Sequence, residues 1–155
     1  MPWKVARGRG MQAAELLTVR DAQVLLGRPV GRLEPTNDAQ SPARKPSDFV
    51  CFGGRAKGPT MVGEFVSLAA GPSANGARNV PFFSVALEGT RASADNPCRR
   101  SVSARWEQNG LRFALTYTCI ALADSDDVSA LTNAKRESVA ALARLVCDRI
   151  TSFLH

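Results

Sequence analysis

Apolar and polar positions alternate most regularly between Ser101 and Cys119. Val102, Ala104, Trp106, Phe113, Leu115, Tyr117 and Cys119 fall on one side of the alternation, and Ser101, Ser103, Arg105, Glu107, Arg112, Thr116 and Thr118 on the other. A period of two marks half-buried strand. Asn109-Gly110 divides the run, and both residues tolerate the positive φ of a type I′ turn. The two-residue loop sets Gln108 against Leu111, Glu107 against Arg112 and Trp106 against Phe113. The result is a hairpin with one greasy face and one wet face. Burying Trp106 and Phe113 is worth roughly 1.5–3 kcal/mol each. An exposed Glu107–Arg112 pair adds only a few tenths, ~0.3 kcal/mol.

Something must cover the greasy face. In the last thirty residues Val139, Leu142, Val146, Arg149/Ile150 and Phe153 recur at helical spacing, flanked by Ala143, Cys147 and Leu154. That pattern predicts a helix over 127–153, with a possible break near Thr132-Asn133. Lys135, Arg136, Arg144 and Asp148 lie mostly off its stripe, and Asp124, Asp126 and Asp127 crowd its start, where the helix dipole favours acids.

Earlier in the chain, Thr18 with Asp21 resembles a capping box, Leu17 is placed to staple the first turn, and Gly27 and Pro29 end the element. These signals predict a helix over 19–26, with an earlier turn at 13–17. Three further runs read as strands: "DFVCFGG", "TMVGEFVSLAAG" and "VPFFSVALEG". Polar segments 31–47, 71–79 and 90–97 read as loops, the first long enough to be mobile or functional. The sum is an α+β domain: an antiparallel sheet of about five strands, with a short N-terminal helix and a long C-terminal helix packed on one face. Residues 1–12 form a basic, glycine-rich, loose segment, and 13–155 a single domain.

The chain has 155 residues and a formal net charge of +6. The charge raises nucleic acid, anionic lipid and acidic glycans as partners. Most arginines are scattered, however, and only the stretches "KVARGRG" and "CRRS" cluster. No run approaches the ~20 apolar residues of a membrane span, and Met1–Val19 lacks the apolar core of a secretory signal.

Cysteines stand at 51, 98, 119 and 147, with no C-x-x-C spacing. Zinc-ribbon and thioredoxin-type readings therefore fail. Two disulfides in an oxidising compartment explain an even count, against four buried thiols. The hairpin register brings Cys98 and Cys119 near each other at its open end. That favours Cys98–Cys119 with Cys51–Cys147, and leaves Cys51–Cys98 with Cys119–Cys147 open.

"ELLTVRDAQVLLGRPV", "DFVCF" and "LRFALTYTC" followed by a terminal amphipathic helix resemble small bacterial cell-envelope proteins. These include actinobacterial lipoproteins and the extracellular sensor domains of mycobacterial serine/threonine kinases. The resemblance covers most of the chain in element order and implies a disulfide-stapled α+β domain that binds ligands outside the membrane. Cys147, in the last helix, departs from the kinase-sensor cysteine pattern. No functional residue carries over.

Catalytic signals are few. The single histidine is His155, at the chain end, an unsuitable base for a Ser-His or Cys-His mechanism. No G-x-S-x-G, H-E-x-x-H, Walker A loop or G-x-G-x-x-G occurs, so no catalytic residue, metal ligand or cofactor is assigned. "DSDD" at 124–127 lacks the glycine and terminal glutamate of a calcium loop and reads as helix capping. Glu64 and Glu88 could pair as carboxylates, although solvent-facing strand positions explain both. Cys98 beside Arg99 and Arg100 is the best-placed thiol for a nucleophile. Trp3, Phe82, Phe83, Trp106 and Tyr117 could stack bases, but the last two belong to the core face.

The expectation is a non-enzymatic periplasmic or secreted binding or interaction protein whose leader has been removed. Its partner would be an unknown protein, glycan, small molecule or anionic surface. The working surface would be loops 31–47 and 71–79 with the sheet face around Arg99, Arg100, Arg105 and Arg112. One alternative is a nucleic-acid or other polyanion binder using those arginines, in which case the chain is cytoplasmic. Another is a hydrolase of unrecognised type.

Overall fold

A computed structural model describes residues 3–4, 10–33, 49–54, 61–72, 84–90, 98–121 and 132–154. The Asn109-Gly110 turn forms with φ of 54° and 76°. It joins strands β7 (Cys98–Gln108) and β8 (Leu111–Ala121) in the register that the alternation predicts, with Trp106 opposite Phe113 and Glu107 opposite Arg112. The two aromatic rings stack, their centroids 5.3 Å apart.

Around this hairpin the chain lays down β3 (Gly31–Leu33), β4 (Phe49–Gly54), β5 (Met61–Pro72) and β6 (Ser84–Thr90). The sheet is antiparallel, with the order β3-β4-β5-β8-β7-β6. It has six strands rather than about five. The addition is β3, which lies at the start of the segment read as a loop. Its three residues are exposed and have no strand pattern of their own; pairing with β4 makes them a strand. Two-residue strands β1 (Trp3–Lys4) and β2 (Gly10–Met11) pair within the segment read as loose. Val80–Phe83 and 122–131, which held a strand start and a helix start in the sequence reading, lie outside the described residues.

Three helices cover one face. α1 (Ala13–Leu16) and α2 (Val19–Leu26) pack over β4 and β5, and α3 (Arg136–Leu154) packs over β7 and β8 and against both shorter helices. α3 follows a helical turn at 132–134, interrupted at Lys135. Val139, Leu142, Ala143, Val146 and Ile150 are buried against Trp106, Phe113, Leu115 and Tyr117 in one core. α2 starts with the capping box: Asp21 N–H donates to the Thr18 hydroxyl (3.3 Å), and Thr18 N–H donates to the Asp21 carboxylate (2.9 Å). Gly27 ends it with φ 74°, the left-handed conformation that glycine adopts without steric cost.

Two polar clamps fasten α3. Arg149 donates to both Asp21 oxygens (2.5 and 3.0 Å) and to the Leu16 carbonyl (2.7 Å). At the hairpin end, buried Gln108 accepts from Trp106 Nε1 (3.2 Å). It donates to the Cys147 carbonyl (3.3 Å) and the Thr151 hydroxyl (3.1 Å).

The wet face is drier than its residue types suggest. Arg105 and Arg112 are exposed, but Ser101, Ser103 and Thr118 are buried. Their hydroxyls are satisfied across the strands, Ser101 with Thr118 at 3.3 Å and Ser103 with Thr116 at 3.0 Å. Small paired hydroxyls can leave water without a large desolvation cost.

Trp106→Ala is expected to lower stability by about 3–5 kcal/mol in equilibrium urea unfolding. A loss under about 1 kcal/mol would contradict the burial of its ring. The second expectation concerns acid. Burial alone would raise the Asp21 carboxyl, but the hydrogen bonds from Arg149 and Thr18 outweigh it and hold the group below its ordinary value. Its stabilising effect is therefore complete above the unfolded aspartate value of about 3.9 and is lost as pH falls through the folded one. Asp21→Asn is expected to be less stable than wild type at pH 7, and the gap should close below about pH 4.

Candidate functional site

Residue rows cross the sheet on its covered face. Val50, Leu68, Leu115, Ala104 and Val85 form one, and Phe52, Val66, Tyr117, Val102 and Leu87 the next. Both are apolar apart from the tyrosine hydroxyl. The row after them, further from the hairpin, is Gly54, Glu64, Cys119, Arg100 and Gly89. Polarity enters the core at this end, beside a register shift in β5 between Met61 and Gly63.

Glu64 is the centre of this cluster. It is 7% exposed, and its position corrects the expectation of a solvent-facing carboxylate. Its parity with Val66 and Leu68 was the available signal, and it places the side chain on the core face. Glu88 is in β6, in register with Ser101 of β7. Glu64 accepts a hydrogen bond from the Tyr117 hydroxyl at 2.8 Å and faces Arg28 Nη2 at 3.1 Å. Burial, with the Glu64 carboxylate second, pushes the Tyr117 hydroxyl far up, so it stays a proton donor. Lys135 Nζ lies over the Tyr117 ring, 5.9 Å from its centroid, and donates to the Leu25 carbonyl at the end of α2.

Arg28 had no sequence signal beyond following Gly27. It is 13% exposed, and its Nε and Nη2 are buried without a hydrogen bond.

The cysteines carry the main correction. All four are thiols, and no disulfide is present. Cys51 pairs with Ser67 on the face opposite Val50 and Phe52, so the sheet separates it from Cys98, Cys119 and Cys147. Cys147 sits at the hairpin end, its carbonyl bonded to Gln108. Cys119 lies eight residues along β8 from Leu111, about 27 Å at strand rise. Bridges from Cys51 to Cys147 or Cys98, and from Cys119 to Cys147, are therefore geometrically closed. Cys98, opposite Ala121, is a same-face diagonal neighbour of Cys119. Both are fully buried, which removes Cys98 as an accessible nucleophile. Burial, then Glu64, pushes the Cys119 thiol up to about 11. Burial likewise raises Cys51, and burial followed by Asp148 raises Cys147.

The four arginines of the expected binding surface do not converge. Arg105 and Arg112 lie diagonally on the outer face at the hairpin end, both exposed, with Arg112 3.9 Å from Glu107. Arg99 is exposed on the same face, six residues from Arg105, about 20 Å away. Arg100 turns to the covered face opposite Cys119. Most of loops 31–47 and 71–79 lies outside the described residues. Among the described residues no group of three histidine, cysteine or acidic side chains is placed to hold a metal. No described helix is long and apolar enough to cross a membrane.

No family model, curated protein or solved structure matches the chain.

Tyr117→Phe is expected to cost about 1–3 kcal/mol in urea unfolding, because Glu64 loses its hydroxyl donor inside the core. A double-mutant cycle with Glu64→Gln should return a coupling of about 0.5–3 kcal/mol. Additive losses would deny the contact. A second check uses thiol chemistry: native protein at pH 7 should react slowly with an aromatic disulfide reagent, and denaturant should release the buried thiols.

Proposed function

We propose that this chain is a non-enzymatic binding or interaction protein of the bacterial envelope, working outside the cytoplasm. The supporting observation is the division of labour among its polar groups. Glu64, Tyr117, Gln108, Asp21 and Arg149 are bonded to the fold itself, and the Cys98, Cys119 and Cys147 thiols are buried. Arg105 and Arg112 are exposed on the outer face of the hairpin, with Arg112 3.9 Å from Glu107. A pair of guanidiniums on a rigid two-residue hairpin suits an anionic group on a protein, glycan or small molecule. Support for the envelope is the element order, with a short helix first, an antiparallel sheet with a tight hairpin, and a closing amphipathic helix.

The polyanion-binding alternative draws on the net charge of +6, and the scatter of its arginines over both faces counts against a continuous track. Retention on heparin and on DNA as a function of salt separates the two. Steep salt dependence that weakens in Arg99→Ala, Arg105→Ala and Arg112→Ala would put the polyanion first. A flat response removes it. Amide shifts confined to residues 105–112 in an NMR ligand screen support the first reading. Turnover of ester, phosphate or peptide substrates would overturn its non-enzymatic half. The four thiols of the structure count against the envelope, and intact mass of native protein with and without reduction decides the point: a disulfide would support the envelope, and four thiols would favour the cytoplasm.

A further inference from the structure

Asn109 and Gly110 are the two residues on which the hairpin turns. Their φ angles of 54° and 76°, in a loop closed by the Gln108–Leu111 pair, make a type I′ turn. Asn109 is exposed. Apart from its chain neighbours, no atom stands within 4 Å of the Cβ position on Gly110. An asparagine followed by an unhindered glycine is open to a reaction of its own side chain. The Gly110 nitrogen gives up its proton to solvent base and attacks Asn109 Cγ. A C–N bond forms, the bond from Cγ to Nδ2 breaks, and the side-chain nitrogen leaves as ammonia. Water then opens the five-membered imide at either carbonyl, giving aspartate or isoaspartate. In sum, water is taken up and ammonia released.

The closed turn withholds that reaction. Ring closure requires Asn109 Cβ and the Gly110 nitrogen to eclipse each other about the Asn109 Cα–C bond. A type I′ turn holds ψ of its first central residue at about +30°, where those two atoms point in nearly opposite directions about that bond. Asn109 therefore reaches the reactive conformation only by rotating out of the turn, which breaks the Gln108–Leu111 pair. Neither flanking residue is free to follow. Gln108 holds the Trp106 indole, the Cys147 carbonyl and the Thr151 hydroxyl, and Leu111 packs against the core.

We propose that Asn109 is a deamidation site gated by the Gln108 clamp: the closed hairpin protects the side chain, and opening of the hairpin end releases it to react. Local openings that break few contacts cost less than global unfolding, so the reaction samples the stability of this end of the sheet rather than of the whole domain. The change is one-way and falls on an exposed part of the hairpin. Aspartate adds a negative charge three residues before Arg112. Isoaspartate routes the chain through Cβ and Cγ and lengthens the two-residue loop by one backbone atom, which a type I′ turn does not accommodate.

The test holds the full chain at mildly alkaline pH, folded and in urea, and follows conversion at Asn109 by peptide mapping with mass spectrometry. Mapping separates this site from Asn75-Gly76 elsewhere in the sequence. Conversion is expected to be slower in the folded protein than in urea by about tenfold or more. Thr151→Ala removes one acceptor of Gln108 at an exposed position. It should speed conversion in the folded protein by about two- to tenfold, the range of one lost hydrogen bond, and leave the rate in urea unchanged. Equal rates in the folded protein and in urea, or a folded rate indifferent to Thr151→Ala, overturn the gating. Absence of conversion at Asn109 in urea overturns the site itself.

Discussion

A carboxylate taken out of water must have its charge answered at once, and the answer to Glu64 fixes how the two halves of the domain meet. Left alone in the core, such a charge costs several kcal/mol. Here the hydroxyl comes from Tyr117 in β8 and the guanidinium from Arg28 at the end of α2. The first contact requires β5 and β8 to hold the register that brings Glu64 within one residue row of Tyr117. The second requires α2 to stop at Gly27 and to lie over β4 and β5. A slip of one residue in β5 would turn Glu64 to the other face and leave Tyr117 and Arg28 facing each other without it. Apolar rows tolerate small errors of packing; this one does not tolerate an error of register.

The two ends of the core thus use different chemistry for the same task. At the hairpin, Gln108 joins the Trp106 indole to the last turns of α3 through neutral hydrogen bonds. At the far end, charge joins α2 to the sheet through Arg28 and Glu64, and in the same turns of α3 that Gln108 reaches, Arg149 joins α3 to α2 through Asp21. Arg149 reaches α1 through the Leu16 carbonyl and the capping box of α2 through Asp21. The Thr18–Asp21 box therefore has two functions. It starts α2, and it offers α3 a carboxylate already fixed in place.

Legibility followed locality. The hairpin faces, the α2 cap and the α3 stripe are set by residues close in sequence, and each was readable from period two, from a turn dipeptide or from helical spacing. β3 was not readable, because Gly31, Arg32 and Leu33 are all exposed and become a strand only through β4. The buried Ser101, Ser103 and Thr118 were misread because polarity was taken as exposure, although hydroxyls that bond each other across strands need no water. Glu64 was half readable. Its parity with Val66 and Leu68 placed it on the core face, but nothing local announced Arg28, whose role depends on where α2 docks. The disulfide scheme failed for a similar reason. An even cysteine count carries no information about faces, and the strand order puts Cys51 on the far side of the sheet from the other three.

That separation bears on what kind of protein this is. A domain stapled by disulfides can hold its shape with a thin core, because cross-links restrict the unfolded chain. This one keeps its shape by burial and by polar contacts between distant segments, with Glu64, Gln108 and Asp21 each joining elements far apart in sequence. Groups used in this way are committed to the fold: moving a proton on Glu64 or Asp21 would weaken the contact that holds a helix in place. Chemistry that cycles protons through them would loosen the structure at each turnover. Exposed groups carry no such load, and contacts made through them leave the internal ones closed.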